Sequence, residues 1–77
     1  MVIPKDEVRD FARFLSTEFQ SKPMLRSGED GELLRAIVGN QLLIVLDLDH
    51  SAADVWCSDE DSMREIWSAW RGYQQPV

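Results

Sequence analysis

The dipeptide Gly39-Asn40 stands between two apolar runs, Glu32 to Val38 and Gln41 to Leu48. A two-residue hairpin loop with glycine first suits a type II′ turn, whose first central position needs a positive φ. The dipeptide therefore predicts a β-hairpin, and a hairpin fixes pairing. Val38 faces Gln41, Ile37 faces Leu42, Ala36 faces Leu43, Arg35 faces Ile44, Leu34 faces Val45 and Leu33 faces Leu46. Because strand side chains alternate, one face collects Leu33, Ile37, Leu42, Ile44, Leu46 and Leu48, with Arg35. The other collects Leu34, Ala36, Val38, Leu43 and Val45, with Gln41 and Asp47. A half-solvated antiparallel sheet alternates apolar with polar residues, and this one is mostly apolar on both sides. Either one helix covers each face, or both helices share a face and another chain buries the other. The second arrangement is the expectation, and Leu34, Leu43 and Val45 are the candidate dimer contacts. Whether the monomer leaves Leu43 and Val45 or Ile44 and Leu46 uncovered is open at this point.

The flanks supply the helices. Residues 5–20 carry Val8, Phe11, Ala12, Leu15 and Phe19 at helical spacing, with Pro4, Asp6 and Glu7 where a helix start favours them. Phe14 sits on the shoulder of that stripe, and Pro23 stops the helix. Met24 to Arg26 suggests a short strand, residues 27–31 a turn, and Ala53 to Cys57 a further strand. Ser58 resembles an N-cap ahead of Asp59, Glu60 and Asp61. The second helix then runs to about Tyr73, with Met63, Ile66, Trp67 and Trp70 on one face and Gly72 and Pro76 at its end. The expected fold is one α+β domain over residues 1–77: helix, antiparallel meander of three to four strands, helix, in two layers.

A chain of 77 residues buries a modest core, so good packing or self-association must supplement it. Disulfides within the chain are excluded, because Cys57 is the only cysteine, and Cys57 and His50 are too few soft ligands for a structural zinc site. The single cysteine and an opening that reads as a helix start rather than a leader place the expectation in the cytoplasm. The longest unbroken apolar run, Leu42 to Leu46, is far too short to span a bilayer. Of the net charge of −6, the segment 47–65 alone carries seven acidic groups and one basic. That balance opposes direct nucleic-acid binding, which needs clustered Lys and Arg, and favours basic protein surfaces.

Little in the chain specifies chemistry. Asp47 and Asp49 on one strand could share a hard cation, but nothing supplies the further oxygen ligands. His50 and Cys57 are a nucleophile–base pair only in residue type, since no third orienting group or oxyanion motif accompanies them. Gly28-Glu29-Asp30-Gly31 lacks the Lys and Ser/Thr of a phosphate loop. The expectation is a protein with no catalytic residues, no metal and no cofactor. Trp67 and Trp70 lie on a helical stripe and read as core, whereas Phe14, Trp56 and Tyr73 read as contact residues. The candidate partner-binding set is Asp47, Asp49, Asp54, Trp56, Asp59, Glu60, Asp61 and Glu65, an acidic patch for a basic protein.

In length, acidity and absence of catalytic groups the whole chain resembles anti-CRISPR proteins and other phage-encoded inhibitors, although no motif carries the likeness. That resemblance implies a non-enzymatic inhibitor that blocks a basic nucleic-acid-handling protein. The order of first helix and strands is also similar to type III secretion chaperones, which are acidic dimers, but this chain is shorter and lacks their later strands. That second likeness implies a homodimeric accessory protein but carries over no dimer or cargo surface; the interface expected for such a dimer is the apolar sheet face read from the hairpin.

Overall fold

The structure is a computed structural model and describes residues 1–74. The elements run β1 (Val2–Pro4), a single 3-10 turn (Lys5–Glu7), α1 (Val8–Phe19), β2 (Met24–Leu25), β3 (Glu32–Val38), β4 (Gln41–Asp47), β5 (Ala52–Cys57) and α2 (Glu60–Gln74). The five strands form one antiparallel sheet in the order β1-β5-β4-β3-β2. The expected α+β class holds, with one strand more than the meander anticipated.

That extra strand lies at the start. Residues expected to begin the first helix instead pair with β5, where the Val55 amide donates to the Met1 carbonyl at 2.7 Å and the Lys5 amide to the Ser51 carbonyl at 3.0 Å. Ile3 gains a buried position by this pairing, and the α-helix begins only at Val8. The far end of α1 closes where Gln20 turns left-handed, at φ 55°, and its amide bonds back to the Leu15 carbonyl. Ser21 follows, donating its hydroxyl to the Ile37 carbonyl at 2.8 Å and so tying the helix end to β3.

The hairpin has the anticipated register from Val38↔Gln41 to Leu34↔Val45. Gly39 has φ 62° and Asn40 a negative φ, as a type II′ turn requires. Beyond Leu34 the expected pairing fails. Glu32, not Leu33, stands opposite Leu46, because Leu33 is the extra residue of a β-bulge. The preceding turn imposes this. Gly28 and Gly31 both have φ 84°, the Gly31 carbonyl accepts from the Asp47 amide at 2.7 Å, and the Asp30 carboxylate accepts from the Glu32 amide at 3.1 Å. Leu33 consequently turns to the helix side, where it packs on the core, and Glu32 takes its place on the opposite face.

Both helices lie on one side of the sheet. Ile3, Leu34, Ala36, Val38, Leu43, Val45, Ala53 and Val55 form the sheet's half of the core, and Val8, Phe11, Phe14, Leu15, Ile66 and Trp70 form the helical half. Leu34, Leu43 and Val45, expected as dimer contacts, are therefore corrected. They are wholly buried beneath α1 and α2 and unavailable to a second chain.

Two aromatic assignments also reverse. Phe14 is 0% exposed and central, with ring centroids 5.5 Å from Phe11, 5.2 Å from Trp70 and 5.3 Å from Tyr73. Trp67 is 44% exposed, lying under the Arg71 guanidinium at 4.8 Å rather than in the core. The stripe that α2 buries runs through Met63, Ile66, Ala69 and Trp70, which leaves Trp67 on its shoulder and Tyr73 exposed beyond it. Gly72 lies within α2, not at its end, and Pro76 is outside the described residues.

Candidate binding surface

The helix-free side of the sheet is a face of rows. Ile37 and Leu42 form one row across β3 and β4. Met24, Arg35, Ile44 and Trp56 form the next, across β2, β3, β4 and β5. Glu32, Leu46, Asp54 and Val2 form the third, across β3, β4, β5 and β1. Ile37 is 58% exposed and Trp56 48%, and Val2, Met24 and Leu46 are exposed as well. Leu42 and Ile44 are half-buried only by their neighbours in the sheet. Contiguous apolar surface of this kind marks a place of contact. Reading the hairpin alone finds most of it, and only the strand-to-strand register adds Trp56, Met24 and Val2.

Charge on this face is sparse. Arg35 donates through Nε and Nη2 to the two oxygens of Glu32, a bidentate pair that raises the guanidinium pKa, with the hydrogen bond the larger cause and the opposed charge the smaller. Asp54 is the other ionisable side chain of the rows.

The sequence-predicted acidic patch divides in two. Asp47 and Asp49 lie at the β4–β5 turn, one end of β5, whereas Asp59, Glu60 and Asp61 lie past its other end, about 20 Å away at 3.3 Å per strand residue. At the turn, Asp47 pairs with Lys5 Nζ at 2.8 Å. Asp49 Oδ1 accepts from the Ser51 amide at 2.8 Å, the Ser51 hydroxyl at 3.0 Å and the Ala52 amide at 2.9 Å. Those bonds, the Ser51 amide first, hold the Asp49 carboxyl below the usual carboxylate range.

At the other end Asp59, not Ser58, caps α2. Its Oδ2 accepts from the Ser62 amide at 2.8 Å and the Ser62 hydroxyl at 2.9 Å, which lowers its pKa, the amide being the larger cause. Ser58 is drawn off to the sheet, where its amide donates to the Leu42 carbonyl at 2.9 Å and its hydroxyl to Gln41 Oε1 at 2.7 Å. Glu60, Asp61 and Glu65 are exposed on the first two turns of α2, and Asp61 lies 3.4 Å from Arg64. Trp56 is on the open face and Asp54 beside it, so the partner-binding set spans two ends and a face rather than one patch.

The two chemical candidates separate. His50 sits in the turn before β5 and Cys57 at the far end of that strand, too far apart to act as base and nucleophile. Asp47 and Asp49 are each occupied by protein donors. Among the described residues no group of three or more His, Cys, Asp or Glu is placed to hold a metal ion, and no helix is long and apolar enough to cross a membrane. No protein-family model, curated protein or solved structure matches the chain.

Proposed function

We propose that the protein is a non-enzymatic binding protein, an inhibitor of the kind that phages and mobile elements encode, whose target is a basic nucleic-acid-handling protein. The observation that carries this reading is the acidic end of α2. Asp59 is fixed by its capping bonds, and Glu60, Asp61 and Glu65 project from the same rigid helix. Residues 59–65 hold four acidic groups and one basic, a local net of −3. Acidic groups on a rigid element steer and orient association with a basic groove, and they repel the phosphates that the groove would otherwise hold.

The test is affinity capture with the wild type and with the triple variant Asp59→Ser, Glu60→Ser, Asp61→Ser. Serine keeps an N-cap at position 59, so the helix survives the change. A basic nucleic-acid-binding protein should be retained at low salt, released at high salt and displaced by added nucleic acid. The triple variant should bind it about tenfold more weakly or worse. Equal capture by the variant, or retention indifferent to salt, overturns the reading.

A further inference from the structure

We propose that the cleft between the start of α1 and the last described turn of α2 binds a guanidinium group, the side chain of an arginine on a partner protein. The site lies at the other end of α2 from Glu60 and Asp61, so it does not rest on the inhibitor reading.

Aromatic packing brings the two helices together there. Glu7, Asp10 and Phe14 follow one another at spacings of three and four, so the two carboxylates stand on the same side of α1 as the ring at the centre of the core. Trp70 and Tyr73 meet that ring from α2, at centroid distances of 5.2 and 5.3 Å. Gln74 follows, and its Nε2 donates to Glu7 Oε1 at 3.0 Å. Between the helices is a cavity of about 220 Å³ lined by Glu7, Asp10, Trp70, Tyr73 and Gln74.

Charge selects a cation. Two carboxylates line the cavity, and no basic side chain among the described residues does. Lys5 and Arg9 line a different cleft, with Arg26. Arg13 approaches Asp10 only at 3.8 Å, with both side chains well exposed, an ion pair of the kind that contributes little and exchanges readily. The start of α1 adds the equivalent of about half a positive charge, less than the two carboxylates supply. Neither Glu7 Oε2 nor either oxygen of Asp10 accepts a hydrogen bond among the described residues.

The rings select the kind of cation. Tyr73 is exposed, and its ring lies within 19° of parallel to that of Trp70, which is buried and forms the floor. Carboxylates beside an aromatic face suit a planar, delocalised cation better than a compact ammonium. A guanidinium stacks on the ring and donates from its edge to the carboxylates at the same time. An anion would be repelled, and an apolar side chain would desolvate the carboxylates without pairing them.

NMR titration with N-acetyl-arginine amide, followed at the Tyr73 ring, the Trp70 indole and the amides of residues 7–10, tests the site. Saturable shifts in the millimolar range are expected, the strength that an exposed ion pair and one stacking contact supply. The lysine analogue should bind about threefold more weakly. The citrulline analogue, of the same shape without the charge, should give no saturable shift. Glu7→Gln with Asp10→Asn should weaken binding about tenfold, and Tyr73→Leu about threefold. Each variant is checked for folding by circular dichroism, and the citrulline comparison on the unaltered chain decides the matter even where a variant unfolds. Acetyl-Gly-Arg-Gly-amide should bind at least as well as the capped amino acid, as an arginine within a chain requires. Equal shifts with citrulline, undiminished binding in the folded double variant, or binding confined to free arginine overturns the proposal. Shifts centred on Glu60, Asp61 and Glu65 overturn it while leaving the inhibitor reading intact. Failure of capture at that acidic end leaves this cavity untouched, because none of those residues lines it.

Discussion

Asp59 shows how a single hydroxyl can move a helix boundary. Ser58 has the right chemistry for a cap, but its hydroxyl is taken by β4, accepting from the Leu42 amide at 3.0 Å. The cap passes one residue on, to a carboxylate whose pKa is lowered by the bonds it accepts. An aspartate whose folded pKa is depressed stabilises the fold above its unfolded pKa, near 3.8, and loses that contribution as pH falls through the folded value. Asp49 is depressed in the same direction by its turn. Urea unfolding should therefore show a midpoint that falls below about pH 4. Asp59→Asn keeps the capping oxygen without the titration, so its midpoint should fall less steeply with acid. Asp59→Ala should lower the midpoint at neutral pH as well.

At the scale of elements, the hairpin was readable because Gly39 needs a φ that few other residues tolerate. Gly39→Ala should cost about 1–3 kcal/mol by urea unfolding, while Asn40→Ala, at a negative φ, should cost far less. The bulge at Leu33 was not readable from the same pattern. It depends on how the turn at Gly28 to Gly31 meets the end of β4, a long-range bond through the Gly31 carbonyl that alternation cannot register. β1 was hidden for a similar reason: Pro4, Asp6 and Glu7 suit a helix start, and only β5 alongside makes Val2 to Pro4 a strand. The helical stripes were legible as stripes, yet their exact bearing was not. A small rotation of each helix against the sheet brings Phe14 in and sends Trp67 out. The candidate surface inherits these limits. Ile37, Ile44 and Leu46 follow from the hairpin, whereas the row partner Trp56 needs the β4–β5 register, and the acidic run looks continuous only while β5 is not drawn between its halves.

For the whole molecule, one side of the sheet carries all the helical packing. Phe14 is the hub, touching Phe11, Phe19, Trp70 and Tyr73 and so joining both helices. Phe14→Ala should cost about 3–5 kcal/mol, measured by denaturant unfolding. Domains of this size are held by about 4–12 kcal/mol in all, so that loss is a large share of the total and should lower the denaturant midpoint markedly. A core confined to one side also explains how so short a chain keeps an apolar sheet face: the fold is complete without it.

The sheet's outer strands decide what that exposed face can build. β1 has three residues and ends in Pro4, and β2 has two and follows Pro23. Neither presents a long row of free amides and carbonyls for an incoming strand, so growth within the plane of the sheet is discouraged. The helices close the opposite side. The chain can thus carry an apolar face in water without templating filaments, because its brief margins offer no row of amides and carbonyls on which strands could add one after another.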